Sequence, residues 1–205
     1  MTIQLSTVKE IAPMTIRLHP VMTMTDEQFF DFFQLNQDVN IERNARGELV
    51  FMSPTGSEGE ERNFNLIGQL WVWTKQDNTG VGFGSSGGFT LPNGAIRSPD
   101  AAWISKTRWS EIDLDLRKKF APICPDFVVE LRSVTDNLPT LQEKMAEYID
   151  NGAKLGWLID PQQQKVYIYR QNSPVEELVK PLSLSGEEVL SGFILELQDL
   201  GFKDD

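Results

Sequence analysis

Two acidic residues in this chain stand where a packed interior should refuse them. Asp100 lies in Ser98-Pro99-Asp100-Ala101-Ala102-Trp103-Ile104, and Glu130 lies in Pro125-Asp126-Phe127-Val128-Val129-Glu130-Leu131-Arg132-Ser133. Both segments read as short buried strands. A lone carboxylate in an apolar interior costs several kcal/mol, so it persists only when paired, hydrogen-bonded or bound to a metal. Two acids on neighbouring strands, with basic residues close behind, suggest a hard-cation site suited to phosphate chemistry. The plainer alternative is that both acids end their strands in water, and spacing alone does not separate the two readings.

Three further side chains could join them. Side chains repeat every two residues along a strand, so Asp126, Val128, Glu130 and Arg132 share one face and place a cation beside Glu130. Lys144 falls in a helix expected near residues 139–151, at the edge of a stripe formed by Leu141, Met145, Tyr148 and Ile149. From there its stem can follow the core and bring the ammonium to the sheet, or reach solvent as most lysines do. Glu58 shares the polar face of an earlier helix with Arg62 and Asn65, where it either serves the site or complements the helix dipole.

The elements that must hold these residues can be read in outline. Residues 1–24 contain Pro13 and Pro20 and read as an extended arm; residues 25–205 read as one domain. Thr25-Asp26-Glu27-Gln28 is a capping box opening a helix with Phe29, Phe30, Phe33 and Leu35 on its apolar face. A hairpin follows, Val39–Arg43 and Glu48–Met52 around Asn44-Ala45-Arg46-Gly47. Ser57 and Glu60 offer a second capping box for a helix to about Gln76, with Phe64, Ile67, Leu70 and Trp71 expected on its buried side. Strands are expected at 81–91, 96–104 and 125–132, with a charged connector at 111–119. Pro139 and Gly152 bracket the Lys144 helix. Leu155–Ile159 and Lys165–Arg170 form a hairpin, and strands near 176–180 and 193–197 complete an α/β fold with a central mixed sheet flanked by helices.

Composition narrows the chemistry. The 205 residues include one cysteine, Cys124, and one histidine, His19, which argues against a disulfide, a structural zinc site or a histidine-dependent triad. Cys124 lies among Ile123, Pro125 and Phe127 and reads as a packed thiol. The glycines at 80, 82, 84, 87 and 88 lack the lysine and following helix of a phosphate-binding loop. No apolar run approaches the length of a membrane span, and the N-terminal residues do not read as an export signal, so a cytoplasmic protein without membrane attachment is expected. The net charge of −11 weighs against a broad nucleic-acid footprint, though not against a local basic strip.

Taken in order, several segments resemble the Uma family of restriction-endonuclease-like proteins, within the PD-(D/E)XK nuclease superfamily. They are Ser53-Pro54-Thr55-Gly56 before the helix with Glu58, Arg62 and Asn65; Arg97-Ser98-Pro99-Asp100-Ala101-Ala102-Trp103; and Pro125 to Ser133. Leu141-Gln142-Glu143-Lys144-Met145 and Gly156-Trp157-Leu158-Ile159-Asp160-Pro161 continue the series, so the resemblance spans roughly residues 20 to 200. It implies a restriction-endonuclease-like core and a divalent metal, Mg²⁺ with Mn²⁺ as substitute, held by Asp100, Glu130 and the Leu131 carbonyl. It also places Glu58 at the acidic position of the first core helix.

The superfamily's lysine stands two residues after the strand glutamate, where this chain has Arg132. An arginine can brace a phosphate but cannot serve as a base, so Lys144 is the candidate to take the lysine's role. The resemblance thus implies hydrolysis of DNA phosphodiester bonds, with a homodimer expected by analogy. Two other readings stand beside it: a degenerate nuclease fold serving as a binding or assembly module, and a glycoside hydrolase using the two acids as acid and base.

Overall fold

The computed structural model describes residues 14–52 and 55–203. Most of the expected N-terminal arm, and Ser53 and Pro54 of the first family segment, lie outside these. Strand β1 (Met14–Ile16) precedes helix α1 (Asp26–Leu35), which opens on the expected capping box, with Thr25 and Gln28 each bonding the other's backbone N–H. Strands β2 (Ile41–Arg43) and β3 (Leu49–Phe51) form the expected hairpin, and β1 pairs with β3 on its far edge.

Helix α2 runs over Ser57–Asp77. Its N-cap is Gly56 and makes no side-chain cap bond, so the second capping box does not form: Ser57 is already the first helical residue. Phe64 and Trp71, expected inside, are exposed. The helix instead turns Asn63, Leu66 and Leu70 to the core, with Ile67 and Trp73 partly buried beside them. Leu66 and Leu70 set the phase because they lie one turn apart facing the sheet, which rotates the two aromatic residues into solvent.

The two strands expected at 81–91 and 96–104 are each divided between two sheets. Strand β4 (Gly80–Gly84) and strand β7 (Ala101–Ser105) belong to the main sheet, whereas β5 (Phe89–Thr90) and β6 (Ile96–Arg97) pair with each other in a smaller one. The switch between β6 and β7 falls at Ser98-Pro99-Asp100, where proline lacks the N–H a ladder would need. Asp100 therefore stands at the mouth of a strand, between sheets.

Short helix α3 (Lys106–Ser110) follows β7 directly, and α4 (Leu114–Arg117) lies within the charged connector. Strand β8 (Phe127–Leu131) then leads through helix α5 (Leu138–Asp150) to strand β9 (Leu155–Asp160), which lies parallel to β8. Strands β10 (Lys165–Arg170) and β11 (Glu176–Val179) continue antiparallel, and β12 (Ser183–Ser185) pairs with β13 (Ile194–Glu196).

The main sheet runs β11-β10-β9-β8-β7-β4 and the smaller one β1-β3-β2-β6-β5. One face of the main sheet, including Trp103, Phe127, Val129 and Trp157, packs against α2 and the C-terminal segment of Phe193, Leu195 and Leu200. The other face, including Ala102, Val128 and Leu158, packs against Leu141, Met145 and Tyr148 of α5. The smaller sheet has its own core of Phe29, Ile41, Leu49 and Ile96. No helix among the described residues is long and apolar enough to cross a membrane.

Candidate active site

Strand register brings the two acids together. In the antiparallel β7–β8 pair Ala101 stands opposite Val129 and Ala102 opposite Val128, so one step further Asp100 comes opposite Glu130. Side chains of directly opposed residues share a face. That face is the α5 side, because Val128 and Ala102 pack there. The Leu131 N–H donates to Asp100 Oδ2 at 2.7 Å, fixing the carboxylate across the strand ends.

Lys144 is buried, 7% exposed, and reaches the sheet rather than solvent. Its Nζ lies 2.8 Å from Glu130 Oε1 and 2.8 Å from Glu42 Oε1. The Tyr148 hydroxyl, one turn along α5, donates to Glu130 Oε1 at 3.1 Å. Glu42, from β2, also accepts from Arg97 at 3.0 Å and from the Ser98 N–H at 2.9 Å. Arg97 in turn holds Glu147 of α5 at 2.6 Å. A continuous buried chain therefore runs from Arg97 through Glu42 and Lys144 to Glu130.

The acids in this chain differ in their proton affinities for identifiable reasons. Burial pushes Glu130 up to about 8; Lys144 draws it down, but the nearby Asp100 and Glu42 charges work against that. Burial likewise raises Asp100 to about 6, only partly offset by the Leu131 N–H and Lys144. Glu42 is equally buried, yet Lys144, Arg97 and the Ser98 N–H together hold it below the usual carboxylate range. Burial alone would lower Lys144, but Glu130 and Glu42 outweigh it and keep the ammonium charged.

Asp100 and Glu58 both line one cleft of about 120 Å³, together with Arg62, Asn63, Leu131 and Arg132. Glu58 is exposed and forms an ion pair with Arg62 one turn on. The Arg132 guanidinium is committed elsewhere: it pairs with the fully buried Asp160 at 2.6 Å and donates to the Asp136 carbonyl at 3.3 Å. The structure thus gathers Asp100, Glu130, Leu131 and Lys144 at one point, and sets Glu58 and Arg132 on the cleft wall.

Glu42, Arg97 and Tyr148 complete the network and were not assigned a role from sequence. Glu42 gives almost no local signal, since strand alternation puts it on the face opposite the apolar Ile41 and so reads it as outward; in the fold all three residues of Ile41-Glu42-Arg43 are buried. Tyr148 reads as part of the helix stripe, and nothing in sequence distinguishes its hydroxyl. Arg97 lies within a family segment but carries no motif of its own.

Among the described residues no three histidine, cysteine or acidic side chains converge on one point.

Comparison with known proteins bears on the family and the fold. Residues 26–198 match the family described as "Uma2: Putative restriction endonuclease". Among solved structures, the chain is similar to one titled as a putative nuclease belonging to DUF820 from Anabaena variabilis. The TM-score is 0.72 at 18% identity, covering 87% of this chain and 97% of that one. No curated protein matches. With the fold shared over nearly the whole of both chains and the family match covering most of this one, the chain belongs to the Uma2 family of restriction-endonuclease-like proteins.

Proposed function

We propose that this protein is a Mg²⁺-dependent endonuclease that hydrolyses phosphodiester bonds in DNA at Asp100 and Glu130. The observation that carries the reading is the pair of opposed carboxylates, Glu130 buried and Asp100 partly buried at the cleft, both with raised proton affinity and set beside a buried lysine that stays charged. Asp100 Oδ1 and Glu130 Oε2 take part in no hydrogen bond among the described residues, whereas their companion oxygens do. Such a donor set fits a hard cation, and oxygen ligands without imidazole favour Mg²⁺ or Mn²⁺ over Zn²⁺. With every group ionised, Glu42, Asp100, Glu130 and Glu147 against Arg97 and Lys144 would leave two negative charges, the amount a divalent ion supplies.

Asp100, Glu130 and the Leu131 carbonyl would hold the metal. The carbonyl lies on the same edge of β8 as the Leu131 N–H that meets Asp100. When bound, the ion would polarise a phosphate oxygen and lower the pKa of a coordinated water. The chain's own residues supply the rest. Lys144, kept protonated by two acids, stabilises the charge that builds on the phosphate and does not act as a base. Glu42 and Tyr148 hold the two ends of that arrangement, and Glu58 faces the cleft from α2. Arg132 supports the wall through Asp160. A homodimer would let two such sites act on the two strands of a duplex.

The test is cleavage of plasmid DNA with Mg²⁺ or Mn²⁺ by the parent and by Glu130→Gln, with metal binding followed by calorimetry. The parent should cut, and the variant should lose metal binding and at least about 10²-fold in rate. A parent that binds neither metal nor cuts any DNA would leave the fold as a binding module.

A further inference from the structure

Helix α2 carries a feature that the site does not use. Its inner face is taken by Asn63, Leu66 and Leu70, while Phe64 is 74% exposed, Trp71 59% and Val72 48%. Scattered apolar residues in water are ordinary, but these fall on one line. Glu61, Phe64, Gly68, Trp71 and Lys75 follow one another along the outer face at alternating spacings of three and four residues. That is the repeat that keeps a contact seam on one side of a helix. At its centre, a Cβ added to Gly68 would touch nothing, so a second helix has room to approach closely there.

The face is also balanced about that glycine. Glu61 lies as far before Gly68 as Lys75 lies after it, and Phe64 as far before as Val72 after. In an antiparallel pair of identical helices crossing at Gly68, equal steps before and after the glycine face each other across the two-fold axis. Glu61 then meets Lys75 twice, and Phe64 meets Val72 twice. Beside Val72, a groove of about 490 Å³ shared with Gly68 and the half-exposed Ile194 offers room for the incoming phenyl ring.

We propose that the outer face of α2 is where a second copy of this chain docks, in a two-fold antiparallel pairing centred on Gly68. Self-complementarity singles out a second copy: an unrelated partner has no need of an acid and a base equidistant from one glycine. A parallel pairing would set Glu61 against Glu61 and Lys75 against Lys75, and is disfavoured. Helix α2, 21 residues long, spans about 32 Å, so the interface is modest and its association falls in the micromolar range. None of this depends on the chemistry at Asp100 and Glu130, and the test reads no cleavage.

Sedimentation equilibrium at low salt across the micromolar range should show the parent passing from monomer to dimer. Glu61→Lys alone and Lys75→Glu alone should each weaken association about tenfold or more, because each places like charges together twice. Mixing those two variants should restore dimers at parental strength, since every contact is then opposite in sign, and the double variant should dimerise alone. Phe64→Ser should weaken pairing about a hundredfold. All the substitutions are on the surface, and thermal melts will show the folds intact. A parent that remains monomeric, or a dimer indifferent to charge reversal, overturns the proposal; mixed variants that fail to pair overturn its register.

Discussion

Glu130 concentrates the electrostatic tension of the site. Its carboxyl is raised to about 8 in the folded protein against an ordinary value near 4.5, so the folded state holds this proton more tightly than the unfolded chain does. Stability of the metal-free protein from this group is therefore full below the ordinary value and declines as pH rises towards about 8. Thermal melts in chelator should show Glu130→Gln gaining on the parent as pH is raised from about 5 to about 8, with little difference at the acid end.

Lys144 gives the opposite result: Lys144→Met leaves Glu42 and Glu130 facing each other in the interior. It should cost about 3 kcal/mol or more of stability in addition to about 10²-fold in cleavage. Arg132→Met should destabilise through Asp160, and Arg132→Lys much less; a loss of cleavage by Arg132→Met with unchanged stability would give the arginine a direct role. Cys124, buried and with its thiol pushed up to about 12, should resist alkylation at neutral pH until the protein is denatured, as mass spectrometry can show.

At the scale of elements, what was legible in sequence was what neighbours in sequence determine. The capping box at Thr25, Pro139 and Gly152 around α5, and the β9–β10 hairpin all rest on contacts within a few residues. Asp100 and Glu130 were legible for a different reason: acids within or directly beside apolar strand sequence are rare enough to mark themselves. The rest depended on contacts between distant segments. Nothing around Gly84 or Pro99 announces that the chain changes sheets there, and nothing around Ile41 announces that Glu42 will find Lys144. The phase of α2 is not legible because Phe64 and Trp71 are as apolar as Leu66 and Leu70, and only the opposing surface decides which pair is buried. Glu42→Gln tests the element connection directly. It should lower cleavage and also lower stability by about 3 kcal/mol, because it breaks pairs to Lys144 and Arg97 at once.

On the scale of the whole molecule, the chain carries a net charge of −11, which gives it little long-range attraction for DNA. Its affinity for DNA should fall only shallowly with added salt, in contrast to the steep loss of a protein with many phosphate contacts, and filter binding over a salt series would measure the slope. The two sheets share no strand, and the joint between them includes two ion pairs to α5, Glu42 with Lys144 and Arg97 with Glu147. Because Lys144 is common to that joint and to Glu130, local opening of the small sheet and ionisation of Glu130 are thermodynamically linked. An ion held as proposed would draw Glu130 into its charged form and strengthen its pair with Lys144, so the amides of β2 and β6 should exchange with deuterium more slowly when Mg²⁺ is present, although neither strand carries a proposed ligand. The small sheet would then serve as a remote gauge of occupancy, readable in solution without any substrate.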